Sequence, residues 1–80
     1  MLRRKNSAWS AVYDRIEGAT SHAWSGFPLS KPDASRLMWV IYERSYGIGT
    51  HLRQDKEFGL IEIERETLAD HDIVWLRKMN

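Results

Sequence analysis

The strongest constraint on the fold lies in residues 30–48. Ser30-Lys31-Pro32-Asp33 is a capping-box-like set, with a hydroxyl at the N-cap, proline in the first turn and a carboxylate three residues on. Leu37, Met38, Trp39, Val40, Ile41 and Tyr42 follow as an apolar centre on nearly every helical face. Tyr46-Gly47-Ile48 then supplies a glycine stop with an apolar residue behind it. A short aromatic-rich run also suits a strand, but the start and stop signals favour a helix. A helix apolar all round is the most buried element of a small domain, so Trp39 is expected in the core.

On either side of this segment the pattern predicts more helix, and one hairpin. Ser7 can cap a helix from Ala8, with Trp9, Val12, Tyr13 and Ile16 on one stripe and Gly18 or the Trp24 region at its end. From Ile48 the period changes to two. Ile61 and Ile63 alternate with Glu62 and Glu64, which predicts a β-hairpin over about residues 47–65 with its acids pointing outward. Thr67-Leu-Ala-Asp70 reads as another capping box, and Arg77 and Lys78 suit a last helical turn. Ala69, Ile73, Leu76 and Met79 make an approximate stripe, which predicts a helix over residues 68–79. The expected fold is therefore α+β: a small single domain over residues 1–80 with two N-terminal helices, a β-hairpin and a C-terminal helix. Residues 1–6 are expected as a basic tail.

Charge is segregated along the chain. Residues 54–72 hold seven acids (Asp55, Glu57, Glu62, Glu64, Glu66, Asp70 and Asp72) against Lys56 and Arg65. Residues 1–53 are net basic, and the total is only +1. Separated fields of this kind steer charged partners rather than catalyse. With no cysteine there is neither a disulfide framework nor a Cys-based zinc site. That points to a reducing, cytoplasmic setting. No apolar run follows the basic N-terminus as in a signal peptide, and none approaches the roughly 20 residues that span a bilayer. No membrane association is expected.

Catalytic patterns are thin. Gly47-Ile-Gly49 lacks the third glycine and the context of a dinucleotide fingerprint. Asp70-His71-Asp72 has ligand-type side chains, but neighbours in sequence point apart, and His51 with Asp55 would converge only on a helix. Asp14 and Glu17 are better explained as a solvated face than as an acid–base pair. No catalytic residue, metal site or cofactor is expected, and the chain reads as no enzyme.

Two binding functions remain. Phe58-Gly-Leu-Ile-Glu-Ile-Glu-Arg resembles the step from recognition helix to wing in winged helix-turn-helix proteins. That resemblance implies a recognition helix over residues 50–58, a second wing strand over residues 73–78 and a DNA-binding transcriptional regulator. Acids in the implied recognition helix and wing have the wrong sign for phosphate, so contacts would fall to Arg3, Arg4, Lys5 and Arg36. The favoured expectation is a non-catalytic protein-binding regulator or inhibitor. Its acidic face (Asp55, Glu57, Glu62, Glu64 and Glu66) would dock on a protein with a basic patch, anchored by Trp24 or Trp75. Small cysteine-free viral inhibitors of nucleic-acid-handling host complexes share this size and charge, an analogy and not a motif.

Overall fold

The computed structural model describes residues 2–4, 11–16 and 23–79. Their elements, in order, are β1 (Leu2–Arg4), β2 (Ala11–Arg15), β3 (Trp24–Leu29), α1 (Lys31–Arg44), β4 (Ser45–Gly47), β5 (Leu52–Asp55), β6 (Gly59–Thr67) and β7 (Asp72–Lys78). All the strands join one antiparallel sheet in the order β1-β2-β3-β7-β6-β5-β4. The chain builds three strands and crosses by α1 to the far edge. It then walks back until β7 closes against β3.

The expectation for residues 30–48 is met in its start and corrected at its end. Ser30 Oγ accepts from the Asp33 amide at 3.3 Å, and the Ala34 amide reaches the Ser30 carbonyl at 2.8 Å. The helix stops at Arg44, ahead of the glycine, and Ser45 turns directly into β4. Ala34 and Ile41 of α1 pack on Ile61, Ile63 and Val74, with Leu29, Leu37, Met38 and Leu76 around them. Burial follows one side of the helix, so the apolar run is not buried on every face.

The other two expected helices are strands. Residues 11–15 form β2, which pairs Tyr13 with Gly26 and Arg15 with Trp24. Residues 7–10 and 17–22 of that expected helix lie outside the described residues. Residues 72–78 form β7, hydrogen-bonded on one side to β3 and on the other to β6. Both errors have one cause. Residues four apart share a face in a strand as well as in a helix, so Ala69/Ile73 and Trp9/Tyr13 fit either period. Ile73-Val-Trp75-Leu is the continuous apolar run of a strand buried on both faces, which periodicity alone cannot separate from a helix.

The hairpin is present as β5 and β6, joined through Lys56, Glu57 and Phe58. Gly59 closes that turn at φ 79°, a left-handed conformation that costs glycine little. Asp55 accepts the amides of Glu57 at 2.9 Å and Phe58 at 2.8 Å. β6 and β7 do make the hairpin that a wing needs. However, the segment meant for the recognition helix is β5 and its turn, so the winged-helix arrangement does not form. Leu2–Arg4, expected within a basic tail, pairs with β2 as the edge strand β1.

Two buried aspartates pin α1 to the sheet. At its start, Lys31 Nζ donates to Asp72 Oδ1 at 2.8 Å and to the Leu68 carbonyl at 2.7 Å. Arg65 adds a bond to Asp72 Oδ2 at 2.7 Å and one to Ser35 Oγ at 3.0 Å. At its end, Arg44 grips both oxygens of Asp55, at 2.9 and 3.2 Å. The Lys31 hydrogen bond lowers the Asp72 carboxyl below its usual range, against the opposing effect of burial and with help from Arg65. For Asp55 burial pushes upward, but the Phe58 and Glu57 amides and Arg44 outweigh it and the net direction is down.

A carboxyl lowered in the folded state binds fewer protons there than in the unfolded chain. Its stabilisation is therefore present above the unfolded value, about 3.9 for aspartate, and is lost as pH falls through the lower folded value. Urea unfolding should show stability falling as pH drops below about 4. Asp72→Asn should be less stable than the parent at pH 7, and the gap should narrow as pH falls through that window. A gap that stays constant down to pH 2 would show that Asp72 is not held by these charges.

Candidate interaction surface

Alternation divides the strands between two faces. Ile61, Ile63, Val74 and Leu76 face α1. Trp24, Ile73 and Trp75 form a second cluster on the opposite face, with Tyr13 and Leu68 beside them. Gly26 makes that layer possible, because a Cβ there would stand 2.5 Å from the Trp75 ring. Trp75 thus lies against bare backbone, a close approach that only glycine permits.

Charged side chains interleave with these rings. The Arg15 guanidinium sits 4.4 Å from the Trp75 ring centroid and 4.6 Å from that of Trp24. Arg77 lies 4.6 Å from the Trp24 centroid. The order Trp75–Arg15–Trp24–Arg77 is a ladder of cation–π contacts, each worth about 0.5–2 kcal/mol depending on desolvation. β6 anchors its members. Glu66 accepts from Trp75 Nε1 at 2.9 Å, Glu64 from Arg15 at 3.2 Å, and Glu62 from the Arg77 guanidinium. Among the described residues Arg15 Nε is buried with no hydrogen-bond partner, and two rings and one carboxylate hold this side chain.

The expected site residues are therefore placed as follows. Glu62, Glu64 and Glu66 share one sheet face, as the alternation implies, and each is bonded within the chain. Asp55 is buried in the Arg44 pair, and Glu57 bonds the same guanidinium at 2.5 Å. Trp24 and Trp75, expected as exposed anchors, are 1% and 7% exposed. Of the other two acids in the stretch, Asp72 is clamped by Lys31 and Arg65, and Asp70 bonds its neighbour His71 at 2.8 Å. Among the described residues, no three His, Asp or Glu side chains converge as a metal set.

The tryptophan expected in the core is exposed instead. Trp39 is 65% exposed on the outer side of α1, with Val40 and Tyr42 exposed beside it. Tyr46 and Ile48 are exposed where β4 forms the sheet edge. Arg53 lies over the Tyr42 ring, its centre 3.8 Å from the centroid, and donates to the Tyr42 and Ser45 carbonyls. It caps the edge strand and blunts it against further pairing. The sequence signal for this outcome was available. Arg36 and Glu43 stand on the face opposite Ala34 and Ile41, so the segment is one-sided once these charges are counted.

Two substitution series test these assignments. Trp75→Ala should lower stability by about 3–5 kcal/mol, whereas Trp39→Ala should shift the melting temperature by only a few degrees. Reversing Glu62 and Glu64 to lysine should also destabilise, by about 1–3 kcal/mol, because it leaves Arg77 and Arg15 without their carboxylates. A charge-reversed protein as stable as the parent in urea would refute the ladder. The chain matches no family model, no curated protein and no solved structure, so the reading of its surface rests on geometry.

Proposed function

We propose that this chain is a non-catalytic protein-binding module whose docking surface is the outer face of α1. The observation that carries the reading is Trp39, a large ring left 65% in solvent at the middle of an ordered helix. Keeping Trp39 exposed with Tyr42 one turn further along the helix opposes solubility, and exposed apolar patches mark interaction sites. Tryptophan, tyrosine and arginine dominate the energetics of interfaces, and Arg36 lies one turn before Trp39. α1 is also held rigid from both ends by the Asp72 and Asp55 pairs, so little ordering is needed on binding.

A binding role is supported over catalysis by the use made of the buried ionisable groups. Asp55 and Asp72 are fully engaged with cations and backbone amides, an arrangement for holding structure and not for moving protons. The acidic stretch is also better supported as structure than as a docking face. Its charges find Arg15, Lys31, Arg44 and Arg77 inside the fold, which relieves the self-repulsion that a basic partner would otherwise relieve.

The test compares the parent with Trp39→Ser, once matching melting curves show both folded. Each is immobilised and exposed to extract of the host cell. A protein retained by the parent and lost with Trp39→Ser is the expected result. Retention that is indifferent to Trp39 but sensitive to Glu57→Ala, an exposed acid, would return the docking role to the acidic stretch.

A further inference from the structure

We propose that the occupant of this surface is a second copy of the chain, docked α1 against α1, antiparallel about a two-fold axis. The inference rests on the reading of the Trp39 face as a docking surface and names what covers it. Arg36, Trp39, Val40 and Glu43 are all exposed. They recur at three- and four-residue steps along the helix, with Arg36, Trp39 and Glu43 turned away from the buried Ala34–Ile41 side and Val40 on its flank near Leu37.

The two charges on this stripe are exposed and little engaged by the fold. Arg36 is 75% exposed, and its one ion pair among the described residues is a 3.5 Å contact to Asp33. Glu43 is exposed and bonds no described residue. They stand seven residues apart, about 10.5 Å along the axis. Their midpoint falls between Trp39 and Val40. An antiparallel two-fold through that midpoint sets Arg36 of each copy against Glu43 of the other and Trp39 against Val40. A parallel arrangement would set like charges together. One base and one acid at equal distances from an apolar centre are thus complementary to themselves in one orientation, as a two-fold interface requires.

The area sets the strength. α1 is about 21 Å long and presents a face about 10 Å wide. Pairing through this stripe alone then covers on the order of 200 Å² on each copy, below the size of a stable specific interface. The dimer should be weak, with a dissociation constant in the micromolar range or above, and should loosen as salt rises past about 0.15 M.

Sedimentation equilibrium on the full chain tests this over a concentration series up to about 1 mM. The parent should move from one chain mass toward two. Trp39→Ala should weaken association at least tenfold. Arg36→Glu alone and Glu43→Arg alone should each do the same, because each faces like charges across the axis. The double variant Arg36→Glu/Glu43→Arg should return to within about threefold of the parent. An equimolar mixture of the two single variants should pair with each other more tightly than either pairs with itself. A parent that stays monomeric at 1 mM overturns the proposal, as do single variants that dimerise like the parent or a double variant and mixture that both fail to recover. If the parent is monomeric while Trp39→Ser still loses a captured host protein, the second copy is excluded and the docking face stands. If neither assay depends on Trp39, both readings fall.

Discussion

In the described part of the chain, one helix serves a sheet with two apolar faces. Among the described residues, α1 covers Ile61, Ile63, Val74 and Leu76, and the other face carries Trp24, Ile73 and Trp75. A chain of 80 residues has little to spare for a further layer. Side chains of the sheet itself cover part of this face. Arginine suits the task because its guanidinium is planar, weakly hydrated and stacks on aromatic rings while still bonding a carboxylate. Arg15 and Arg77 do both, and the three glutamates of β6 fix the ladder in place.

The same constraint accounts for the charge layout. Acids at alternating positions on β6 can reach bases delivered by neighbouring strands, so segregation along the sequence becomes pairing across the sheet. Glu62 meets Arg77 of β7, and Glu64 meets Arg15 two strands further on. At the ends of α1 the geometry repeats with buried aspartates, Asp72 with Lys31 and Arg65, Asp55 with Arg44. Removing one member of such a pair leaves a buried charge unmatched, which costs more than the pair contributes. The charge pattern thus specifies how helix and strands are seated.

Because those pairs hold α1 from beneath, its outer face is free of structural duty. Trp39 stands largely in solvent and Val40 is half exposed, and Arg36 and Glu43 are little used by the fold. A rigid helix with an unsatisfied apolar centre and balanced charges on either side is equipped for a partner of matching pattern. The chain's own helix has that pattern when it is turned end for end.

Residues in sequence determined the local features whose causes are local: the Ser30 cap and the helix behind it, the β5–β6 hairpin, and the alternation that puts Ile61 and Ile63 opposite Glu62 and Glu64. They did not determine whether residues 11–15 and 72–78 were helix or strand, because a four-residue apolar spacing satisfies both periods. Tertiary structure decided that, by placing β7 between β3 and β6 where Ile73 to Leu76 are enclosed on both faces. It also decided which tryptophans are buried. Trp24 and Trp75 lie inside because Gly26 leaves room for one ring and Arg15 and Arg77 cover the other. Trp39 lies outside because one flank of α1 was enough to cover the sheet. These are contacts between residues as far apart as Arg15 and Trp75, and nothing in the spacing of a linear chain records them.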